Sequence, residues 1–270
     1  MPGARSQLLG QYQIGKTIGQ GAFSKVKIGV HKATNQKVAL KVIDKAQAKR
    51  LQEQHDRKQY KEAQALLMRL DHPNIISIFQ VVDTPQECWV VMEYAPGGEL
   101  IDYILAHDHL GEKEARRLFR QIISAMDHCH LANVVHRDLK LENLLLNKQK
   151  DLLISDFGLG RTFSSDKDDL MRTFCGTPNY AAIELISGIP YIGVKSDIWA
   201  MGIILYVMLT GRPPFTGETI SALYAKIKAL DYVLPRRFSP ELCALFSKIF
   251  VKDPKERATM DMLRSDPWVN

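Results

Sequence analysis

Residues Val135 to Gly158 read VHRDLKLENLLLNKQKDLLISDFG. Two short apolar runs, Leu144-Leu145-Leu146 and Leu152-Leu153-Ile154, flank a polar turn at Asn147 to Asp151. That is the pattern of a hairpin of short buried strands. His136, Arg137, Asp138, Lys140 and Asn143 stand before the first run, and Asp156 stands after the second. Charges that merely rimmed a solvated hairpin would need no fixed places beside buried strands. Two carboxylates, an amide and a lysine at one end of a hairpin suit a divalent metal and phosphate. Hard oxygen ligands from few protein groups favour Mg2+, which shares its shell with water and phosphate oxygens.

His136-Arg137-Asp138-Leu139 with Asn143, followed by Asp156-Phe157-Gly158, resembles the catalytic loop and magnesium loop of eukaryotic protein kinases. A three-residue DFG alone is weak. The full HRDLKxxN followed by DFG at this spacing is a specific signal. The resemblance implies an α+β, bilobal protein-kinase fold: a small N-terminal antiparallel sheet with one helix, then a larger, mostly helical lobe.

The chain has 270 residues, enough for one or two domains, with 46% hydrophobic and 24% charged residues. A net charge of +6 is compatible with an anionic ligand such as a nucleotide, and no Lys/Arg block marks a nucleic-acid partner. The four cysteines, Cys88, Cys129, Cys175 and Cys243, show no CxxC spacing. They imply neither a zinc site nor a disulfide framework and favour a reducing compartment, the cytoplasm with the nucleus as alternative. No secretory signal opens the chain. The longest apolar run, Ile198 to Leu209, is short for a bilayer and reads as a buried helix, so no membrane partner is expected.

Residues 1–11 read as an unpatterned leader. From Tyr12, apolar alternation through Ile14, Ile18, Phe23, Val26, Ile28 and Val30 and again at Val38, Leu40 and Val42 predicts three strands. The first turn, Gly19-Gln20-Gly21-Ala22-Phe23-Ser24, resembles the family's GxGxxGxV, with Ser24 in place of the last glycine. Its glycines let backbone N–H groups approach phosphates. Val38-Ala39-Leu40-Lys41 resembles VAIK. An inward lysine on an apolar strand needs a partner. In the family that lysine grips the α- and β-phosphates and pairs with a helix glutamate. Residues Lys45 to Leu70 predict that helix. At the family's spacing from His72-Pro73-Asn74 the position is Ala63, one after Glu62, and one residue turns a helix face by roughly 100°. Glu62 is taken as the partner.

Ile75 to Val82 and Glu87 to Met92 predict two more strands. The Pro/Gly-rich Tyr94–Gly98 then breaks the pattern as a hinge. The resemblance implies that backbone groups at Glu93 and Ala95 bond adenine, with Met92 behind it. Glu112 to Leu131 carries a helical apolar face. Residues 161–178 read as a mobile polar loop ending in LMRTFCGTPNYAA, similar to activation segments of kinases related to the AMP-activated kinase. The resemblance implies phosphorylation of Thr173 by an upstream kinase, with Arg137 pairing the phosphate, and Thr177 flooring the substrate site. Ala182-Ile183-Glu184 departs from Ala-Pro-Glu, and the lost proline predicts a looser turn. Glu184 keeps a candidate partner in Arg257. Asp197-Ile198-Trp199 with Gly202 matches DxWxxG, the aspartate being expected to bond the catalytic-loop backbone. Short helices are predicted near Thr219–Ala229, Ser239–Phe250 and Thr259–Arg264.

The resemblance covers residues 12–269: an N-lobe at 12–93, a hinge at 94–98 and a C-lobe at 99–269. It points to the calcium/calmodulin-dependent kinase group and its AMP-activated-kinase-related branch. It implies γ-phosphoryl transfer from MgATP, with Mn2+ as an alternative metal, to serine or threonine of proteins. Asp138, Lys140, Lys41 and Glu62 are the catalytic candidates. Ile18, Gly19, Gly21, Val26, Ala39, Lys41, Met92, Glu93, Ala95, Glu99, Asn143, Leu145 and Asp156 are the ATP-site candidates, Asn143 and Asp156 also holding metal. Glu99, Glu142 and Thr177 are the substrate candidates, the carboxylates favouring an upstream arginine. His136, Arg137, Phe157, Glu184, Asp197 and Arg257 are structural candidates. A pseudokinase scaffold and a small-molecule phosphotransferase are the competing readings.

Overall fold

The computed structural model describes residues 10–21, 24–46, 68, 70–156, 161–162, 171 and 177–270. Strands β1 (Tyr12–Gln20), β2 (Ser24–His31), β3 (Lys37–Asp44), β4 (Ile78–Asp83) and β5 (Glu87–Glu93) form an antiparallel sheet in the order β1-β2-β3-β5-β4. Side chains alternate across a strand, so β3 sends Val38 and Leu40 one way and Ala39 and Lys41 the other. Val38 and Leu40 bury with Tyr12, Val82, Trp89 and Val91 in a small core of their own. Ala39 and Lys41 are thereby left to the opposite face, where the cleft lies.

A two-residue strand, β6 (Gly98–Glu99), leads into helix α1 (Leu100–Leu105) and the long helix α2 (Glu112–Leu131). α2 buries Ala115, Leu118, Phe119, Ile122, Ile123, Ala125 and Met126, the face expected from the sequence. β7 (Val134–Val135), β8 (Leu144–Leu146) and β9 (Leu152–Ile154) follow, and the backbone of β10 (Arg161–Thr162) pairs with β7. The β8–β9 hairpin has the bounds read from its leucines. The strand predicted from Ile75 is shorter, because β4 starts at Ile78. Residues 74–76 leave the sheet to dock on β9: Asn74 Nδ2 donates to Leu152 O, Ile154 N to Asn74 O and Ile76 N to Ile154 O.

The remaining helices are α3 (Ile183–Ile186), α4 (Gly193–Thr210), α5 (Ile220–Ala229), α6 (Pro240–Ile249) and α7 (Met260–Arg264). α4 begins earlier than its apolar run suggested, and 83% of it is buried in the lobe. By length and composition it could cross a bilayer; its burial identifies a core helix. A Cβ on Gly202 would lie 2.4 Å from Ile249, so the glycine lets α4 and α6 pack closely. Thr219, Ser239 and Thr259 cap α5, α6 and α7, each accepting a backbone N–H three residues on.

Inside this lobe Glu184 and Arg257 form a two-pronged ion pair at 2.7 and 2.8 Å, both essentially inaccessible to water. The guanidinium lies 5.0 Å over the Trp199 ring and also donates to Lys195 O at 2.7 Å. The Lys195 ammonium returns a bond to Arg257 O. Each charge is therefore compensated, and removing one leaves the other buried and unpaired. Arg257→Met is expected to cost about 3–5 kcal/mol of unfolding free energy. Urea denaturation checks this; an unchanged midpoint would contradict it.

Candidate active site

A cavity of about 370 Å³ opens beside the sheet. β1 to β3 supply Ile18, Gly19, Val26, Ala39 and Lys41. β5 and the segment after it supply Val90, Met92, Glu93, Tyr94 and Ala95, and the hairpin region supplies Asn143, Leu145, Ser155 and Asp156. Apolar walls with a few polar groups at one end are the usual form of a small-molecule site. Gly21, expected here, does not line the cavity; its N–H is taken by Ser24 O at 2.8 Å within the turn. The connection is tied to the hairpin by Gly97 N, which donates to Leu146 O at 2.8 Å, and by the β6–β8 pairs. A Cβ on Gly97 would sit 2.5 Å from both Leu146 O and Asn147 O, so this approach requires glycine.

The loop after β7 is held from below by α4. Asp197 Oδ2 accepts from His136 N and Oδ1 from Arg137 N, both at 2.9 Å. His130 Nε2 lies 2.9 Å from Oδ2. Burial would raise the Asp197 carboxyl, but the bond and charge of His130, with His136 and its N–H, outweigh it and hold it below the usual range. Arg137 takes φ +67°, a left-handed conformation costing a non-glycine residue of order 1–3 kcal/mol. Bonds at its own N–H and at the preceding one over-determine it. His136 Nε2 lies 3.1 Å from Ser155 O, which can only accept, so Nε2 carries a proton, and Asp138 N lies 3.3 Å from Nδ1.

Asp138 is thus presented with its carboxylate in a polar triangle. Oδ2 meets Lys140 Nζ at 2.8 Å, Thr177 Oγ1 donates to Oδ1 at 3.3 Å, and Lys140 Nζ donates to Thr177 Oγ1 at 3.1 Å. Asn143 Nδ2 donates to Asp138 O at 2.8 Å, which leaves its amide oxygen as an acceptor. Ser155 N and Oγ both donate to Asn143 O, at 2.8 and 3.0 Å, and bring the end of β9 to the start of β8. One residue on, Asp156 (φ +58°) pairs with Lys41 at 2.5 Å. Burial opposes ionisation of Asp156, but the charge and hydrogen bond of Lys41, then His136 and Lys140, lower its pKa. An ionised carboxylate and an amide oxygen are oxygen donors of the kind Mg2+ accepts while keeping water and phosphate in its shell. Among the described residues no cluster of three His, Cys, Asp or Glu could hold a metal by protein groups alone.

Glu99 and Glu142 both line the outer part of the cavity. Burial raises the Glu99 carboxyl, and the charges of Asp102 and Glu142 add to the effect, so the carboxylates lie close enough to repel. Tyr180, in the 3₁₀ turn Pro178–Tyr180 after Thr177, has its phenol pushed up to about 12 by burial, with Glu142 and Asp138 contributing. The turn after Thr177 is therefore packed against the catalytic loop.

The model of the family described as Protein kinase domain matches residues 12–269. The chain is a protein kinase domain. It is 44% identical over 262 residues to the SNF1-like protein kinase ssp2 of Schizosaccharomyces pombe, covering 97% of this chain and 44% of that protein. It is 43% identical over 262 residues to the Sucrose non-fermenting protein kinase 1 of Fusarium virguliforme, covering 97% of this chain and 37% of that protein. The chain spans under half the length of these curated relatives. Membership implies use of ATP with Mg2+, and the donor set at Asn143 and Asp156 fits that requirement.

Within this kinase domain, Glu62, Phe157 and Thr173 lie outside the described residues. Among the described residues, the carboxylate that Lys41 meets is Asp156. At Ile183, where the resemblance implied proline, the chain still opens a helical turn, with Ile186 N donating to Ala182 O, and the side chain packs against the core. Sequence reasoning missed His130, Ser155 and Gly97. Of these only Gly97 had a local signal, its place in a Pro-Gly-Gly run. Gly97→Ala is expected to weaken nucleotide binding by about 1–3 kcal/mol through this clash, whereas Gly111→Ala, with open space at its Cβ, leaves it unchanged. Equilibrium titration with ADP checks both; equal affinities for the two variants would contradict the contact.

Proposed function

We propose that this domain transfers the γ-phosphoryl group of ATP to serine or threonine hydroxyls of protein substrates. The observation that carries the reading is the triangle of Asp138, Lys140 and Thr177 set beside Asn143 and Asp156. Asp138 accepts the substrate hydroxyl proton as the new oxygen–phosphorus bond forms and the bond to the bridging oxygen breaks. Lys140 neutralises charge on the group in transit. Lys41 leaves Asp156 for the α- and β-phosphates. Held by Asn143 and Asp156, Mg2+ (or Mn2+ in its place) would supply charge neutralisation on the phosphates.

The names of both relatives as protein kinases support a protein substrate. Lys140, two residues after Asp138 and bonded to Thr177, favours serine or threonine over tyrosine. Phosphorylation of Thr173 by an upstream kinase, paired by Arg137, fits as the activating step. Its test is the mass of the Thr173 peptide together with activity before and after phosphatase. The grounds for a scaffold without catalysis were Ile183 and the offset of Glu62; the full set of Lys41, Asp138, Asn143 and Asp156 favours catalysis.

Glu99 and Glu142 favour a substrate arginine three residues before the target, since an arriving guanidinium relieves their mutual repulsion. Replacing that arginine in a peptide is expected to lower kcat/KM about 10–100-fold, the worth of one charged hydrogen-bonded contact. A peptide array indifferent to that position would contradict it. For the reaction itself, Asp138→Ala is expected to lower transfer of labelled phosphate to a basic peptide about 10²–10⁴-fold. Comparable transfer by the variant and wild type would overturn the assignment.

A further inference from the structure

β9 delivers Asp156, and three consecutive apolar residues specify its register only weakly. Leu152, Leu153 and Ile154 are all buried, and so are Leu144 and Leu146 opposite them. A register shift normally fails because it turns apolar residues out to water. Here a one-residue slip would keep an apolar residue at two of the three buried places and bring only Ser155 or Asp151 to the third, while carrying Asp156 about 3.3 Å along the strand. Such a slip would separate Asp156 from Lys41 and from Asn143. Three residue pairs alone make a weak hairpin.

Polar contacts supply what the leucines lack. Within the hairpin, Asn147 Oδ1 accepts from Gln149 N and Asp151 N, both at 2.8 Å, and closes the turn. From outside it, α2 presents Arg117 and Gln121, four residues apart and so on one face. Gln121 Oε1 accepts from Leu152 N at 2.8 Å, and its Nε2 donates to Asp151 Oδ1 at 2.8 Å. One amide thus grips two consecutive residues, a strand N–H and the carboxylate before it. Arg117 donates to the same Asp151 oxygen and to Lys150 O, both at 2.8 Å, and is itself held by Glu114. The Gln121 bond is the main cause that holds the Asp151 carboxyl below its ordinary range.

We infer that Gln121, seated by Asp151 and Arg117, is a positioning residue that sets where β9 ends and so holds Asp156 opposite Asn143 for one divalent cation. Gln121 does not line the cavity; it acts through the strand. The inference rests on the phosphotransfer reading, because it assigns the Asn143–Asp156 pair to the cation. Residues outside a metal's own ligands that orient those ligands commonly change metal affinity 10–100-fold.

The experiment is calorimetric binding of ADP to the full chain, once in EDTA and once with excess Mg2+, for wild type, Gln121→Met, Gln121→Glu and the double variant Gln121→Glu with Asp151→Asn. Gln121→Met has similar length and no hydrogen bonds. It should leave affinity in EDTA within about twofold of wild type and lower the gain brought by Mg2+ by about tenfold. Gln121→Glu sets two carboxylates together and should lose the gain likewise. The double variant exchanges the donor and the acceptor between the two positions and should recover it. A wild-type gain in Gln121→Met would overturn the inference, as would an equal fall in EDTA and in Mg2+, which marks general loosening. No recovery in the double variant would also overturn it. If wild type itself shows no gain from Mg2+, the phosphotransfer reading falls, and this inference with it.

Discussion

The buried carboxylate of Asp197 is the constraint on which the rest of the site depends. It lies inside the C-lobe and accepts from two consecutive backbone N–H groups and from His130. Two adjacent N–H groups can aim at one carboxylate only if the chain turns sharply there, and Arg137 accordingly adopts φ +67°. The turn throws Asp138 outward to Lys140 and Thr177. Charge buried in α4 therefore sets the direction of a side chain at the rim of the cleft. The conformational cost of order 1–3 kcal/mol at Arg137 is offset by hydrogen bonds to a charged acceptor, each worth a similar amount.

A second constraint acts across the cleft. Lys41 comes from a strand whose other face packs a separate small core, whereas Asp156 comes from a hairpin embedded in the large one. Their ion pair joins two independently packed bodies. Residues 74–76 join them again, through backbone bonds to β9. Among the described residues, strand and cleft are therefore coupled through one polar, exchangeable contact and through backbone bonds. The exchangeable one involves both groups that the phosphate chain and its cation would engage.

Local pattern carried much of this. The leucine triplets set the hairpin, apolar spacing set α2 from Glu112 to Leu131, and alternation set the facing of Lys41. What escaped was set by residues far apart in the chain. His130 and Asp197 stand 67 positions apart, and no local spacing joins them. Ile75 has the composition of a strand residue but is drawn out of the sheet by β9. Gly21 reads as a phosphate contact until its N–H is found closing its own turn. The missing proline at Ile183 suggested a loosened turn, yet the first position of a helical turn needs no particular residue when the next turn supplies the bonds. The resemblance implied a buried Glu184–Arg257 pair; its place against the Trp199 ring had no signal in the sequence.

The most direct measurement follows amide hydrogen exchange at His136 and Arg137 in wild type and in Asp197→Asn, with phosphotransfer assayed on the same samples. Loss of the charged acceptor is expected to speed exchange at both amides about 10–100-fold, leave the amides of α2 unchanged, and lower phosphotransfer in parallel. Amides that stay protected while transfer is lost, or amides that are freed while transfer persists, would contradict the claim that Asp197 aims the catalytic loop.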